Sequence, residues 1–329
     1  MSNLLSIILN YRTPEMTLKS AEAALVALEG ILGSLTIVDN DSGDGSYEKI
    51  LAAAEERGWT KDGRVRVLQS GHNGGFGAGN NFGIRAGLPD GSAPDYVYIL
   101  NSDAFPEPDA IRVLVDYLDA NPAVGFVGSA ILNEDGEIET TAFRFPSIAS
   151  EFEGAARTGP ITRLLARHVV ALPVPQENVA VDWLAGASMM MRRKTLDQVG
   201  LFDETFFLYF EETDLCRRTH LAGWPIVYLR DSRVMHIGSV STGMKKWHRV
   251  PGYWLDSRQY YFSKNHGRGY ATLATFAHLA GGVIWRLRHL VSRRNSEDPP
   301  HFLRDLMTHW VRARSLSSSA AMASGPKSH

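Results

Sequence analysis

Apolar runs alternate with helical stretches along the first 128 residues, and this alternation limits the possible folds more than any other feature. The runs typical of buried strands are residues 4–9, 35–38, 64–69, 95–100 and 124–127. The helical stretches between them lie around residues 15–29, 46–57, 78–87 and 107–119. Repetition of strand and helix predicts an α/β fold with a mostly parallel, Rossmann-like central sheet and helices on both faces.

The pattern changes after about residue 128. Residues 133–136 are typical of a hairpin turn, and residues 147–180, with weak periodicity and several prolines, are interpreted as a variable insertion. Later strands are expected at 181–192, 225–229 and 232–237, with a short helix at 212–222. Residues 315–329 are rich in serine and alanine, and we expect a disordered tail there.

Composition narrows the class of protein. The 329 residues carry a formal charge of −2, so no global basic field indicates a nucleic-acid partner. Cys216 is the only cysteine, which excludes an intrachain disulfide and fits a reducing cytoplasm. The apolar segment 4–9 is too short for a signal peptide, and no basic segment precedes it. The sequence therefore predicts a cytoplasmic protein that does not bind nucleic acid.

A polar segment follows the second predicted strand and begins with Asp39. Ligands of parallel α/β sheets bind beside the carboxyl ends of strands, where this carboxylate could accept a hydrogen bond from a nucleobase imide or a ribose. The Asn, Asp, Ser and Gly residues at 40–46 also favour a plain polar turn. These residues alone leave both interpretations open.

The fourth predicted strand ends on Asn101, Ser102 and Asp103. Hard cations prefer carboxylate oxygen, and a single carboxylate suits a metal that also binds substrate phosphates. The alternative is that Asp103 caps a helix or turn before Pro106. His236, near the end of the last predicted strand, is either structural or a ligand of a metal or phosphate.

A glycine-rich loop leads into the predicted helix at 78–87. Its candidate binding residues are Asn73, Gly75, Phe76, Gly77, Asn80 and Asn81. Such loops let backbone amides approach phosphates. The dinucleotide fingerprint is rejected, because a third glycine is missing at Asn80 and the loop follows the third strand rather than the first. A phosphate or nucleoside role and a plain turn both stay open.

Residues 206–218 join an aromatic run to three carboxylates, those of Glu211, Glu212 and Asp214. Acidic residues in the first turn of a helix are explained by the helix dipole. Neighbouring apolar surface also desolvates a carboxylate and raises its basicity, which a general base needs. The block therefore predicts either a helix start or a catalytic base.

These segments occur in one order that resembles the family-two glycosyltransferases with the GT-A fold. The matching segments are residues 7–11, 38–42, 73–81, 100–103, 183–187, 202–204 and 211–214. The likeness covers roughly residues 4–265. The loop at 73–81 and the block at 207–217 are similar to those of bacterial rhamnosyltransferases and related galactofuranosyltransferases.

The resemblance implies a role for each candidate. A nucleotide-diphosphate sugar would be bound by Asn10, Asp39, Asn101, Ser102 and the glycine-rich loop, with Asp39 on the uracil or thymine. Asp103, the surviving carboxylate of an Asp-x-Asp motif, and His236 would hold Mg²⁺ or Mn²⁺. Glu212 would be the catalytic base, with Glu211 and Asp214 as alternatives. Trp183 and Gly186 would line the acceptor side.

The implied function is inverting transfer of a sugar to a glycan or lipid-linked saccharide acceptor in cell-surface polysaccharide synthesis. The favoured donor is dTDP-L-rhamnose, and another UDP- or dTDP-sugar is the alternative. A rival nucleotidyltransferase would carry a basic glycine-rich loop near the first strand, and residues 10–13 contain no glycine. A non-catalytic sugar-nucleotide scaffold is the other rival, and the intact acidic block argues against it.

Under this interpretation, residues 1–128 bind the nucleotide sugar, 129–265 supply the acceptor site and base, and 266–314 form a helical extension before the tail. Within the extension, residues 271–291 are apolar and lead into an arginine cluster, but glycines and Arg286 break the run short of a membrane span. Two interpretations remain, a helix packed on the core and a helix lying on the inner face of the membrane.

Overall fold

The computed structural model describes residues 2–238, 248–292, 299 and 301–323. The chain divides into two compact units. The first, here called the sheet unit, comprises residues 1–145 and 171–245, and the second, the helical unit, comprises residues 146–170 and 246–329.

The order of elements confirms the predicted alternation in the first third of the chain. The strands are β1 (Leu4–Asn10), β2 (Gly33–Asp39), β3 (Val65–Gln69), β4 (Tyr96–Asn101), β5 (Ala104–Pro106), β6 (Phe126–Leu132), β7 (Ala142–Phe143), β8 (Val179–Val181), β9 (Trp183–Leu184), β10 (Ser188–Arg192) and β11 (Ile226–His236). The helices are α1 (Pro14–Ala27), α2 (Ser46–Glu56), α3 (Gly75–Ala86), α4 (Ala110–Ala120), α5 (Ile148–Ala156), α6 (Gly159–Leu164), α7 (Arg193–Val199), α8 (Glu211–Leu221), α9 (Gly252–His266), α10 (Arg268–Ser292) and α11 (Phe302–Ala323).

The sheet unit is built on a nine-stranded sheet with the order β3-β2-β1-β4-β10-β6-β11-β5, in which β8 also pairs with β11. Strands β1, β2, β3, β4, β6 and β11 run in one direction, and β5, β8 and β10 run in the other. The sheet is therefore mostly parallel, as predicted. Asn10 lies opposite Asp39 and Leu9 opposite Asn101, so three polar strand ends meet at one edge.

Helices cover both faces of this sheet. Leu4 and Ile8 of β1 pack in the core on one face, which also holds buried residues of α1 and α4. Leu5 and Ile7 face the other core, together with residues of α3, α7 and α8. Burial on both faces explains why the parallel strands read as continuous apolar runs rather than as alternating ones.

Two later segments differ from the sequence prediction. The single strand expected at 181–192 is three short strands, because the chain turns at residues 185–187 between β9 and β10. The two strands expected at 225–229 and 232–237 are one strand, β11, whose pairing with β6 shifts register between Leu229 and Arg233. Such a bulge inserts unpaired residues without ending the strand.

The helical unit contains α5, α6, α9, α10 and α11. Glu151 of α5 lies at its centre, where its carboxylate accepts hydrogen bonds from Arg258 at 2.8 Å and from His278 at 2.7 Å. The charge of Arg258 and the hydrogen bond from His278 outweigh the cost of burial and lower the pKa of Glu151 to about 2. No helix in the described parts of the chain is both long and apolar enough to cross a membrane.

The predicted boundaries also differ from the units. Residue 128 lies inside β6, because the mixed half of the sheet is continuous with the parallel half. The segment 147–180, interpreted from the sequence as an insertion, supplies α5 to the helical unit. Helix α9 also belongs to this unit. Residues 315–323, expected to be disordered, continue α11, in keeping with the high helix propensity of alanine. Residues 324–329 lie outside the described part of the chain.

Candidate active site

The carboxylate of Asp39 is held by a hydrogen-bonded network at the ends of β1 and β2. Its Oδ1 accepts from Asn10 Nδ2 at 2.7 Å and from the Ser42 hydroxyl at 2.6 Å, and its Oδ2 accepts from the Ser42 backbone N–H at 3.1 Å. Thr17 of α1 in turn donates to Asn10 Oδ1 at 2.7 Å. Asp39 is 1% exposed, so the network fixes both its position and the direction of its oxygens.

The glycine-rich loop is tied to β2 and to the aromatic segment before α8. Asn40 Nδ2 donates to Asn73 Oδ1 at 3.0 Å and to the Gly75 carbonyl at 3.1 Å. The Gly75 N–H donates back to Asn73 Oδ1, and the Phe76 N–H donates to the carbonyl of Phe207 at 3.0 Å. These two amides are engaged within the protein, so the loop positions the chain that enters α8.

Gly75 allows this close approach. Its φ is +90°, and a Cβ placed on it would lie 1.7 Å from the Phe207 carbonyl oxygen. We expect Gly75→Ala to lower the free energy of unfolding by about 1–2 kcal/mol for the left-handed backbone and by roughly 1–3 kcal/mol more for the overlap.

Gly71→Ala is the matched control for this prediction. Gly71 has a φ of +72° and no atom within 4 Å of its added Cβ, so only the backbone cost applies. Denaturant unfolding of both variants separates the two contributions. Equal stability of the two variants would show that the loop does not depend on contact with Phe207.

The next part of α3 anchors the segment that precedes the acidic block. Asn81 Nδ2 donates to the Phe202 carbonyl at 2.9 Å and to Glu204 Oε1 at 2.8 Å, and its Oδ1 accepts from the Phe202 N–H. A Cβ on Gly77 would lie 3.0 Å from Phe202 Cβ and 3.7 Å from Glu211 Cβ. Asn81 and Gly77 therefore have packing roles, and Asn80 donates within α3 to Phe76.

Asp103 and His236 meet because β5 pairs with β11, with Ala104 opposite His236. Asp103 Oδ1 lies 3.1 Å from His236 Nε2, and Asn101 Nδ2 lies 3.3 Å from the same nitrogen. Ser102 Oγ lies 3.3 Å from Thr13 Oγ1, at the start of α1. The structure thus brings the predicted metal ligands together at the end of β4.

The pair fits part of a metal site. Two ligands of an octahedral cation lie about 3 Å apart when each is about 2.1 Å from the ion, close to the observed Asp103–His236 separation of 3.1 Å. Among the described residues, no group of three or more His, Cys, Asp or Glu side chains could hold a metal. Any ion here would therefore need further oxygen ligands from a phosphate or from water.

Glu211 and Glu212 begin α8, directly after two residues with left-handed backbone, Tyr209 (φ 70°) and Phe210 (φ 69°). Glu211 is 2% exposed, and Glu212 is half-buried. Within the described chain, the Oε2 atoms of both carboxylates are buried without a hydrogen-bond partner. Carboxylates left unsatisfied in this way are costly and mark candidate sites of proton transfer.

Burial raises the pKa of both carboxyls. The pKa of Glu211 lies well above its ordinary value because of burial and then the negative charge of Glu212. Burial also raises the pKa of Glu212. Its own backbone N–H and that of Gly186 act in the opposite direction and lower this pKa. A carboxylate of raised pKa is a better proton acceptor once it is ionised.

A pH-dependent stability follows from the Glu211 shift. Because its folded pKa is raised, stability is full at low pH and falls as pH rises through the folded pKa. Glu211→Gln should therefore raise the melting temperature at pH 8 and leave it unchanged below about pH 4, where Glu is protonated in both states. Thermal unfolding across this range is the measurement, and a variant less stable than wild type at pH 8 would refute the prediction.

Asp214 has a different environment from the two glutamates. It is fully buried, and its Oδ2 accepts from Arg218 Nε at 2.9 Å, one turn along α8. Arg218 also donates to the carbonyls of Val199 and Leu201. The Asp214–Arg218 pair therefore holds the loop that follows α7 against α8.

Gly186, one of the two predicted acceptor residues, lies beside Glu212. A Cβ placed on Gly186 would lie 3.5 Å from Glu212 Oε1 and 3.1 Å from the Phe76 ring. The next carbonyl, that of Ala187, accepts from the Asn101 N–H at 3.0 Å. Trp183 stacks on Phe143 with ring centroids 4.2 Å apart. The turn at 185–187 thus links the end of β4 to the start of α8.

Several supporting residues were not among the predicted site residues. Asn40, Ser42 and Thr17 hold Asp39 and the glycine-rich loop in place. Asn40 and Ser42 belong to the polar segment that follows β2, and their position in this segment is a signal visible in the sequence. Thr17 lies in a helix and is identified only by its contact with Asn10.

The model of glycosyltransferase-like family 2 matches residues 8–250, and the chain belongs to this family. The family prediction made from the sequence motifs is confirmed.

Characterised relatives include rhamnosyltransferases. The chain is 31% identical over 223 residues to the N-acetylglucosaminyl-diphospho-decaprenol L-rhamnosyltransferase of Mycobacterium tuberculosis, covering 64% of this chain and 68% of that protein. It is 27% identical over 219 residues to the low-salt glycan biosynthesis hexosyltransferase Agl10 of Haloferax volcanii, covering 66% and 62%. It is 26% identical over 169 residues to rhamnosyltransferase WbbL of Escherichia coli, covering 49% and 60%.

Solved structures share the fold at low sequence identity. The mannosyltransferase PcManGT of Pyrobaculum calidifontis, in complex with GDP-Man and Mn²⁺, matches with a TM-score of 0.54 and 14% identity over 97% of this chain and 80% of that one. GalNAc-T7 with UDP, GalNAc and Mn²⁺ matches with a TM-score of 0.51 and 14% identity, over 80% and 50%. These similarities confirm the GT-A fold.

Proposed function

We propose that the protein is an inverting, metal-dependent glycosyltransferase with Glu212 as its catalytic base. The supporting observation is the buried, unpartnered Oε2 of Glu212 at the start of α8. A Cβ placed on Gly186 would lie 3.5 Å from Glu212 Oε1. The next residue, Ala187, accepts through its carbonyl from the N–H of Asn101, which lies at the predicted metal site. Glu211, which is more deeply buried than Glu212, is the alternative base. Asp214, paired with Arg218, is assigned a structural role.

The proposed reaction is a single displacement at the anomeric carbon. Glu212 accepts the proton of an acceptor hydroxyl as that oxygen forms a bond to the anomeric carbon. The bond from this carbon to the diphosphate oxygen breaks on the opposite face, so configuration inverts. The transition state has oxocarbenium character, as in glycoside hydrolysis. Trp183 and Gly186 are proposed to line the acceptor side.

The proposed donor is a nucleotide-diphosphate sugar, with dTDP-L-rhamnose favoured by the names of two of the relatives. Asp39 would contact the nucleobase or ribose, supported by Asn10 and the glycine-rich loop. The acceptor is proposed to be a glycan or lipid-linked saccharide of cell-surface polysaccharide synthesis. Such an acceptor places the enzyme in the cytoplasm, peripherally at the inner face of the membrane.

Asp103 and His236 are the residues that would hold Mg²⁺ or Mn²⁺. When bound, such an ion neutralises charge on the departing diphosphate as a Lewis acid. His236 Nε2 can either donate to Asp103 or accept from Asn101, but it cannot do both in one protonation state. The neutral ring with its lone pair on Nε2 is the form that can bind a metal.

Asp39→Ala is expected to weaken binding of the donor and of the free nucleoside diphosphate by roughly 1–3 kcal/mol, because the nucleobase or ribose loses its hydrogen bond to the carboxylate. Calorimetric titration of nucleoside diphosphate measures the change. Asp44→Ala is the control, since Asp44 lies in the same segment but accepts only from Ser46. Equal affinity of Asp39→Ala and wild type would exclude the contact.

A thermal-shift screen of nucleotide sugars, with and without Mn²⁺, tests the proposed function. A true donor stabilises the fold in proportion to the logarithm of its concentration over its dissociation constant. We expect the largest shift from dTDP-rhamnose with Mn²⁺. If no dTDP- or UDP-sugar shifts the melting temperature, the proposed donor class is wrong.

A further inference from the structure

The outer side of α10 carries a row of exposed apolar side chains. They are Leu273, Phe276, Val283, Leu287 and Leu290, which are 59, 43, 51, 59 and 80% exposed. Ala280, also exposed, fills the interval between Phe276 and Val283. These six residues, here called the α10 stripe, follow one another at alternating intervals of three and four. That spacing places them on one face of an α-helix.

The opposite side of α10 is the one that packs within the helical unit. Ala271, Ala274 and Trp285 are buried there. A Cβ on Gly281 would lie 2.4 Å from the Phe152 carbonyl oxygen of α5, and one on Gly282 would lie 2.6 Å from a Leu303 methyl. The glycines that interrupt the apolar run thus serve close helix packing, and within the α10 stripe the Phe276 ring also packs edge-to-face on Trp310 of α11, with centroids 5.1 Å apart.

The charges on α10 are all of one sign. Its 25 residues include no Asp or Glu. Arg286 and Arg288 are exposed and flank Leu287 in sequence. One residue along an α-helix corresponds to a rotation of about 100°, so these arginines lie one on each side of the α10 stripe. Apolar surface bordered by guanidinium groups complements a bilayer with anionic head groups.

We propose that the α10 stripe, with Arg286 and Arg288, is a membrane-contact surface that rests on an anionic lipid bilayer. A second copy of the chain is a poorer occupant. Helices that pair through such a stripe use opposite charges at its borders, whereas two copies of α10 would bring arginines together without an acidic partner on the helix. The absence of a spanning helix in the described chain makes this contact peripheral.

Co-sedimentation of the full-length protein with vesicles tests the proposal. The vesicles are phosphatidylcholine alone or mixed with phosphatidylglycerol, at low and high salt. We expect binding only to the mixed vesicles and release at high salt. The double variant Val283→Glu/Leu287→Glu should lose binding. Its control is Leu32→Glu in the sheet unit, where Leu32 is 55% exposed against 59% for Leu287, and this variant should bind like wild type.

A charge-reversal pair gives an independent readout. Arg286→Glu/Arg288→Glu should weaken binding roughly tenfold or more, since each basic residue near an anionic surface contributes about 1 kcal/mol. Arg163→Glu/Arg167→Glu, which reverses two exposed arginines of the same unit, should have a smaller effect. If the stripe variant fails to fold, vesicle binding of Arg286→Glu/Arg288→Glu, compared with its control, tests the proposal.

Three outcomes would overturn the proposal. Wild type could fail to sediment with anionic vesicles at low salt. The α10 variants could bind as well as their controls. Sedimentation velocity could instead show a dimer that the stripe variant dissociates, which would assign the surface to a second copy. Each outcome is independent of which sugar the enzyme transfers.

Discussion

Glu212→Gln is expected to reduce turnover by about 10²–10⁴-fold, the usual contribution of a general base. Gln keeps the size of the side chain and its position beside Gly186, but it cannot accept the acceptor proton at neutral pH. Affinity for the nucleotide sugar should change little, because Asp39 and Asp103 are intact. Steady-state kinetics with calorimetry of donor binding measure both quantities.

Glu211→Gln is the matched control for the base. It removes the first carboxylate of α8 and leaves the Glu212 carboxylate in place, so a smaller loss of turnover is expected. An inactive Glu211→Gln beside an active Glu212→Gln would transfer the role to Glu211. If neither substitution slows transfer, the catalytic assignment of α8 fails.

Asp103→Ala is expected to abolish transfer while the fold stays intact. Metal chemistry at a departing diphosphate contributes several kcal/mol, or roughly 10³-fold in rate, and Asp103 is the carboxylate in contact with His236. Activity should also be lost for wild type in excess chelator and restored by Mn²⁺ or Mg²⁺. Full activity of Asp103→Ala, or of wild type in chelator, would exclude the metal site.

Asn101→Asp tests the same site in the opposite direction. Asn101 Nδ2 lies 3.3 Å from His236 Nε2. A carboxylate at this position would therefore add a third ligand for a hard cation, beside Asp103 and His236. We expect half-maximal activity at a lower Mn²⁺ concentration than for wild type. Unchanged metal dependence would place the ion away from Asn101.

The parallel half of the sheet could be predicted because its strands are buried on both faces and its helices are amphipathic. The predicted start of β1 is the observed one, and the predicted end of β1 and both predicted ends of β4 differ from the observed ones by one residue. Asp39 and Asp103 were identified because the first lies at the end of β2 and the second lies two residues after β4. Prediction of these positions needs only local sequence and the general rule for ligands of parallel sheets.

The second half depends on contacts between distant segments. The turn that divides β9 from β10 is positioned by the packing of Phe76 and Glu212 against Gly186. No local sequence pattern reveals this packing. The three acidic residues of α8 share one helical turn, so sequence could not divide their roles. Burial and the ion pair to Arg218 separate Asp214 from the glutamates. Residue 218 lies four positions after Asp214, a spacing that offered a signal for this pair.

The anomeric configuration of the product is the most direct test of inverting sugar transfer. The full-length protein would be incubated with dTDP-rhamnose, Mn²⁺ and a lipid-diphosphate saccharide acceptor, and the new linkage examined by NMR. We expect one new glycosidic bond with configuration opposite to that of the donor, and we expect it to be absent when Glu212→Gln replaces wild type. A product that retains the donor's configuration would contradict the single-displacement mechanism.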